Sequence, residues 1–488
     1  MISFIIAFAV LVVGSYFYGK FVSKVFGVDP SRPTPVKRMA DGVDYVELPT
    51  WKIYLIQFLN IAGLGPIFGA VMGVMFGPAA FLWIVLGTIF GGAVHDFLSG
   101  MLSIRRDGAS LPELVGEQLG DKIKQVMRGF AVLLMILVGA VFVYNPADLL
   151  AMLTPESLDK MFWIILIFGY YMAATLLPVD KLIGKLYPLF GVALLFMAVG
   201  ILVMLFVNGG IPEIWDEFYN HKPDPDANPI FPMMFVSIAC GAISGFHATQ
   251  SPMMARCIGN EKHARIVFYG AMVTEGVVAL IWAAAAISFT GGYTQLQESL
   301  AGSTPAVLVN NLSTSWLGTF GGVLAILGVI AAPITSGDTA LRSARLMAAD
   351  FMGVEQKKIV KRLAVSVPIF VLAFIIMMLP YEVLWRYFAW CNQELSVFTL
   401  WALTVYLAAR KKLYIVTLLP ALFMTAVTTT YIFFAPEGFS ALTTALWQRP
   451  IPYEVAVGIG VLVSAAFLGM FAMWLKGAES RIAVAAED

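Results

Sequence analysis

The sequence predicts an all-α polytopic membrane protein built on an inverted five-plus-five helix repeat. Three observations predict it. Of 488 residues, 59% are hydrophobic and only 13% charged, against roughly 25% charged in a soluble globular protein. Residues 51–76 are long enough to cross a bilayer, yet Ala62-Gly63-Leu64-Gly65-Pro66 interrupts them. Basic residues fall on alternate loops when the apolar runs are counted as thirteen spans.

The N-terminal run 2–19 has neither a basic leader nor a small-residue cleavage site, so it reads as a retained span. The run 51–76 follows. Glycine is a weak helix former, and Pro66 lacks an amide donor. Two half-helices joined by unwound backbone are therefore expected there. Hydrocarbon does not tolerate bare backbone unless protein or a water-filled cavity surrounds it. A cavity is accordingly expected, with a second broken span facing it. The remaining spans are 78–104, 122–145, 159–178, 182–207, 231–258, 263–290, 316–348, 361–379, 381–408, 413–434 and 452–475. Under this count only Lys160, Lys222, Arg386 and Arg449 of the 31 basic residues face one side. That side is read as the outside, with the N-terminus outside and the C-terminus in the cytoplasm.

Lysine plus arginine and aspartate plus glutamate both number 31, a balance that points away from a nucleic-acid partner. Cys240, Cys257 and Cys391 form no disulfide framework and match no zinc or iron–sulfur spacing. No resident cofactor is expected; the implied partners are the lipid bilayer and a small-molecule substrate.

The second interrupted run, 231–258, carries Gly241, Gly245 and Pro252 around the polar segment 244–251. It starts 180 residues after the first, and the next four spans pair at offsets of 185 to 202. Five spans repeated once is an odd repeat, so the second copy runs the opposite way through the membrane. The organisation is then 1–50, a leading span and cytoplasmic loop; 51–207, the first repeat; 231–408, the inverted repeat; and 413–488, two trailing helices. One extra helix precedes the repeats and two follow them.

Ionisable side chains at membrane depth are costly and mark function. Here they are His95, Asp96, His247, Glu275, Asp338 and Glu394. Substrate is expected at the breaks: Ala62, Gly63, Leu64, Gly65 and Pro66 in the first, and Gly245, Phe246, His247, Thr249, Gln250 and Ser251 in the second. A half-helix N-terminus at the first break favours a carboxylate. His247 suits an anion or a proton near neutral pH; its structural alternative is a neutral ring packed on a carbonyl. His95 and Asp96 are adjacent, and adjacent helix residues do not face each other. Two separate contacts are therefore expected rather than a mutual pair. Asp338 shares a face with Arg342 and Arg345, which suggests a structural ion pair. Thr335 and Ser336 offer hydroxyls for a sodium ion, aided by a half-helix C-terminus. Glu275 and Glu394 are either proton relays or buried, protonated carboxyls.

The motifs IAGLGPIFG (61–69), GAVHDFLSGMLSIRRDGASLPE (92–113), SGFHATQSPMMARCIGNEKHAR (244–265) and PITSGDTALRSARLMAADFMG (333–353) resemble the carbon starvation protein A (CstA) family of bacterial transporters. The likeness runs from about residue 30 to about 410, and the long C-terminal extension of better-known members is missing or reduced. The resemblance implies a LeuT-like fold of the amino acid–polyamine–organocation type in the inner membrane. It also implies uptake of peptides, or of pyruvate with protons, when preferred carbon is exhausted. The expected function is an ion-coupled secondary transporter, not an enzyme, with H+ or Na+ as the coupling ion. The alternatives are a channel, or a nutrient-sensing receptor that does not transport.

Overall fold

The computed structural model describes residues 1–41, 45–176, 183–354 and 358–487. The chain is all-helical among these residues. In order the main helices are α1 Ile2–Phe26, α2 Thr50–Ile61, α3 Gly65–Val74, α4 Ala79–Arg105, α5 Asp121–Leu153, α6 Lys160–Leu176 and α7 Ile183–Asn208. Then come α8 (230–237), α9 Gly245–Ala255, α10 Glu261–Thr290, α11 Pro305–Ala349, α12 Ile359–Met377, α13 Tyr381–Ala409, α14 Ile415–Phe434 and α15 Tyr453–Gly477. Residues 177, 178 and 182, at the ends of two expected spans, lie outside the described residues.

Nine helices among the described residues are long and apolar enough to cross a membrane, and the bent pair α2–α3 makes ten. The chain is a multi-pass membrane protein. Three of the thirteen expected spans are not among these ten: only part of 159–178 lies within the described residues, 231–258 is broken, and 381–408 carries Glu382, Arg386 and Glu394. The segment 301–315, expected as an outer loop, is largely the start of α11, which kinks at Gly318 with φ +63°.

The first break falls where the sequence places it. The α2 helix ends at Ile61, Ala62 leaves helical geometry, and α3 departs at 52°. The second break lies further toward the N-terminus than expected. Residues 238–244 are unwound, and α9 is already helical from Gly245.

The two broken helices pack against one another, α2 beside α9 and α3 beside α8, and α4 and α10 flank them. Gly65, Gly69 and Gly73 lie four residues apart on α3 and face the second break. A methyl added at Gly65 would lie 2.3 Å from Cys240 Cβ, and one at Gly69 would lie 3.1 Å from the Ser237 carbonyl oxygen. Where Gly65 and Gly69 face Cys240 and Ser237 the two breaks meet in protein contact, because residues without side chains let the backbones close. Protein satisfies the same requirement that a cavity would.

Around this core, α5 packs on α11, α12, α6 and α13. Pro146 sits inside α5 and leaves the Phe142 carbonyl without its helical donor. The Tyr171 hydroxyl of α6 donates to that carbonyl at 3.3 Å. At the opposite end from loop 209–229, Arg105 closes α4 against α10. Its Nε and Nη2 donate to the buried Glu261 carboxylate at 2.8 and 2.9 Å, a two-pronged ion pair.

Candidate functional site

The site grows from the second break. A helix start leaves its first N–H groups without intrahelical partners. Ser244 enters α9 extended and does not cap it with its own side chain. Asn392 of α13 supplies the acceptor from outside. Its Oδ1 receives the Phe246 N–H at 2.8 Å and the Ser244 hydroxyl at 3.0 Å, while its Nδ2 points to Cys240 Sγ at 3.2 Å. Gly245 permits this approach: a methyl there would sit 2.4 Å from both Leu395 Cβ and the Ser396 nitrogen.

One turn into α9, His247 meets residues from α4 and α10. Its Nδ1 lies 2.8 Å from Asp96 Oδ2, and its Nε2 lies 3.3 Å from Glu275 Oε2. The other oxygen of Asp96 lies 2.8 Å from His95 Nδ1. All four side chains are fully buried. An ionised carboxylate only accepts hydrogen bonds, so both imidazoles give their Nδ1–H to Asp96. A neutral His247 then turns a lone pair toward Glu275. Neither His247 Nε2 nor either Glu275 oxygen makes a hydrogen bond. A lone pair facing a carboxylate at 3.3 Å needs positive charge between them.

The mutual contact of His95 and Asp96 corrects the sequence expectation. That expectation holds for side chains on an isolated helix surface. Here His247 draws one carboxylate oxygen into the seam between helices, and the other oxygen is left turned to the neighbouring ring.

The remaining expected residues divide. Ala62, Gly63, Leu64, Gly65 and Pro66 are all buried, Gly65 against Cys240 and Gly63 against the ring of Phe142. Phe246 is buried. Thr249 and Ser251 spend their hydroxyls on carbonyls of their own helix, Phe246 at 2.6 Å and His247 at 3.0 Å. Gln250 donates to Thr249 at 3.0 Å. Thr249, Gln250 and Ser251 are therefore satisfied from within α9, whereas Ser244 and His247 reach other helices. Ser336 and Asp338 are buried on α11, where Asp338 pairs with Arg342 at 3.4 Å, the ion pair the spacing suggested. The half-helix end expected beside Thr335 and Ser336 is absent; α11 runs through 332–349 without a break, so its carbonyls stay in the helix. The side chain of Thr335 lies outside the described residues. Glu394 is half-buried on another face of α13 and takes no part in the array.

Sequence reading passed over Cys240 and Asn392. Cys240 Sγ, His247 Nε2 and a Glu275 oxygen lie within 4.8 Å of one another. The signals available were a cysteine inside the glycine-marked break and the triplet Asn392-Gln393-Glu394 inside an apolar span.

Between the ends of α3 and α8 and the loop 209–229 lies a cavity of about 370 Å³. Met72, Ser237, Gln297, Lys222, Glu382 and Arg386 are among its walls. Loop residue His221 stacks between Tyr219 and Tyr293, with ring centres 3.9 and 4.2 Å away. This pins the loop and presents Lys222. Arg386 is paired with Glu382 and Glu437 at 3.3 Å each. The Lys222 ammonium has the Met75 sulfur at 3.9 Å and the Phe76 ring at 4.9 Å, and no carboxylate within ion-pair distance among the described residues. Burial lowers it from 10.5 to about 8, with Glu382 opposing the shift.

The chain is similar to several known proteins. Over 350 residues the chain is 42% identical to an uncharacterised membrane protein of Haemophilus influenzae, covering 62% of this chain and 94% of that one. It is 29% identical over 336 residues to the peptide transporter CstA of Helicobacter pylori, covering 55% of this chain and 48% of the relative. It is 27% identical over 366 residues to the Escherichia coli pyruvate/proton symporter BtsT, covering 60% and 50%. The chain thus spans about half the length of these two transporters. In fold it is similar to a variant of the Eremococcus coleocola manganese transporter, with a TM-score of 0.54 at 13% identity over 91% of this chain and 99% of that one. The carbon starvation protein CstA family model matches residues 1–156 and 147–315, taking in both breaks and all of His95, Asp96, His247 and Glu275, and the chain belongs to that family.

Proposed function

We propose that the chain is an ion-coupled secondary transporter of the bacterial inner membrane that imports small peptides or a small carboxylate such as pyruvate. The single observation that carries this is the buried array His95–Asp96–His247–Glu275, where the second half of the second broken helix meets α4 and α10. Charge with an unmet need for a cation, placed where two halves of a membrane protein meet, is what coupling requires. The names of two relatives, a peptide transporter and a pyruvate/proton symporter, support the substrate classes.

In this reading the proton is the coupling ion, held between His247 and Glu275 and released when the breaks part. Coupling by sodium at Thr335 and Ser336 is disfavoured by the unbroken helix there. The thirteen spans form the inverted five-plus-five arrangement: 51–207, then 231–408, with 1–50 leading and 413–488 trailing. The N-terminus is outside and the C-terminus cytoplasmic. The bundle of α2–α3, α4, α8–α9 and α10 rocks against the rest and exposes the breaks alternately.

The test is uptake of labelled pyruvate and dipeptide into liposomes, with and without an inward proton or sodium gradient. Saturable uptake driven by the proton gradient is expected. Flux that neither saturates nor responds to either gradient would sink the reading.

In this reading the cavity beside Lys222 is the outer entrance, and Lys222, without a carboxylate partner among the described residues, recruits the substrate carboxylate. Lys222 is charged below about pH 8 and loses its charge above it. Attraction for an anion therefore weakens as external pH rises. Lys222→Ala is expected to raise the KM for pyruvate roughly three- to tenfold at neutral external pH, as for a partly buried charge contact of about 1 kcal/mol. The variant should also lack the rise in KM that the wild type shows between neutral and alkaline external pH. An unchanged KM would remove Lys222 from the entry path.

A further inference from the structure

Cys240 has no part in the proton reading, yet it completes a set of donors. A thiol sulfur, an imidazole Nε2 and a carboxylate lie within 4.8 Å of one another, and all three residues are buried. Two of the three face each other without a hydrogen bond: His247 Nε2 lies 3.3 Å from Glu275 Oε2, and neither that nitrogen nor either Glu275 oxygen has another partner. Groups so placed cost several kcal/mol when left without a positive partner (about 2–7 for a neutral polar group).

The surrounding contacts are those of a ligand set. Asp96 holds His247 by Nδ1 at 2.8 Å and so aims Nε2 inward, the carboxylate–histidine arrangement found behind metal-bound imidazoles. His95 steadies Asp96 from its other oxygen at 2.8 Å. Asn392 Nδ2, 3.2 Å from Cys240 Sγ, is a donor suited to a thiolate. Mixed sulfur, nitrogen and oxygen donors select a borderline-soft divalent ion over magnesium or calcium, which prefer oxygen alone. Zinc bond lengths of about 2.0–2.3 Å imply donors about 3.3–3.8 Å apart. The three donors need to close by about an ångström, within the reach of side-chain rotation.

We infer that Cys240, His247 and Glu275 bind a zinc-class divalent cation at the second break, with a fourth position open to water. On binding, the Cys240 thiol yields its proton to solvent and the sulfur–metal bond forms; no electron changes hands. The ion ties the unwound segment before α9 to α10 and occupies the two groups assigned to the coupling proton. Bound metal therefore arrests transport. That consequence rests on the transport reading; the binding does not.

The test uses the full chain, purified in detergent and stripped with a chelator, and cobalt(II) as the probe. One cobalt per chain is expected, with a near-ultraviolet thiolate-to-cobalt band and visible bands of four-coordinate intensity that zinc abolishes. Cys240→Ser should lose the thiolate band, and Glu275→Gln should bind at least tenfold more weakly. Cys257→Ser and Cys391→Ser should keep the band. Absence of a saturable band in the wild type overturns the site, whatever the variants do. So does a band that survives in Cys240→Ser or vanishes in Cys257→Ser. In liposomes, zinc at saturating concentration should suppress wild-type uptake at least tenfold. An intact cobalt band in a protein that transports nothing would support the site and refute the transport reading. Gradient-driven uptake without any cobalt band would refute the site and leave transport standing.

Discussion

Asp96→Asn is expected to abolish gradient-driven uptake while leaving the protein folded. Asp96 is the one acceptor shared by two buried imidazoles, at 2.8 Å from each. Asparagine has the same shape but only one acceptor oxygen; its amide would face the second ring donor to donor. One hydrogen bond to a charged group is lost, worth about 1.5–3 kcal/mol, or about 10- to 100-fold in an equilibrium. His247 then lacks the anchor that fixes its tautomer and aims Nε2 at Glu275. The first break, where substrate is proposed to bind, is untouched. The expected signature is uptake reduced at least tenfold under an inward proton gradient, with substrate counterflow retained in the absence of a gradient. Counterflow measures binding and rocking without net proton movement, so it separates a coupling defect from misfolding. An Asp96→Asn protein that still responds to the gradient as the wild type does would exclude this array from coupling.

The members of that array were legible in the sequence, but their arrangement was not. His95, Asp96, His247 and Glu275 are conspicuous because ionisable residues are rare at membrane depth. Their contacts join α4, α9 and α10, and one sequence carries no register between helices. The same limit hid Cys240 and Asn392, which gain meaning only when α13 is laid across the break. The first break was placed correctly because Gly63, Gly65 and Pro66 stand in an otherwise uniform apolar run. The second was read too far along. The polar residues Thr249 and Ser251 suggested unwound chain, yet hydroxyls can bond back to their own helix, and here both do. The unwound residues proper, 238–244, are mostly apolar or small and carry no such flag. The close contact at Gly65, where open space was expected, has a related cause. Glycine permits unwinding and equally permits close packing, and composition does not say which use is made of it.

Gly65→Ala is expected to be the most disruptive single methyl in the first break, and it tests whether the breaks face each other. The added carbon would lie 2.3 Å from Cys240 Cβ and 2.4 Å from its sulfur, with the Cys240 Cα at 3.7 Å. The near atoms are the root of a short side chain on unwound backbone, so relief requires a backbone shift. Overpacking of this kind costs about 1–3 kcal/mol. Gly63→Ala is the matched control. Its methyl would meet only the tip of the Phe142 ring at 3.0 Å, which a small ring rotation relieves. Gly65→Ala should therefore lower the unfolding temperature in detergent and cut uptake at least tenfold, and Gly63→Ala should do much less of both. The decisive variant is Gly65→Ala combined with Cys240→Gly, which removes both clashing atoms. If α3 and the second break pack face to face, the pair should recover stability relative to the sum of the single changes by about 0.5–3 kcal/mol, the range for residues in contact. Strictly additive losses would mean that the two unwound segments do not meet, and the site built on their junction would have no foundation.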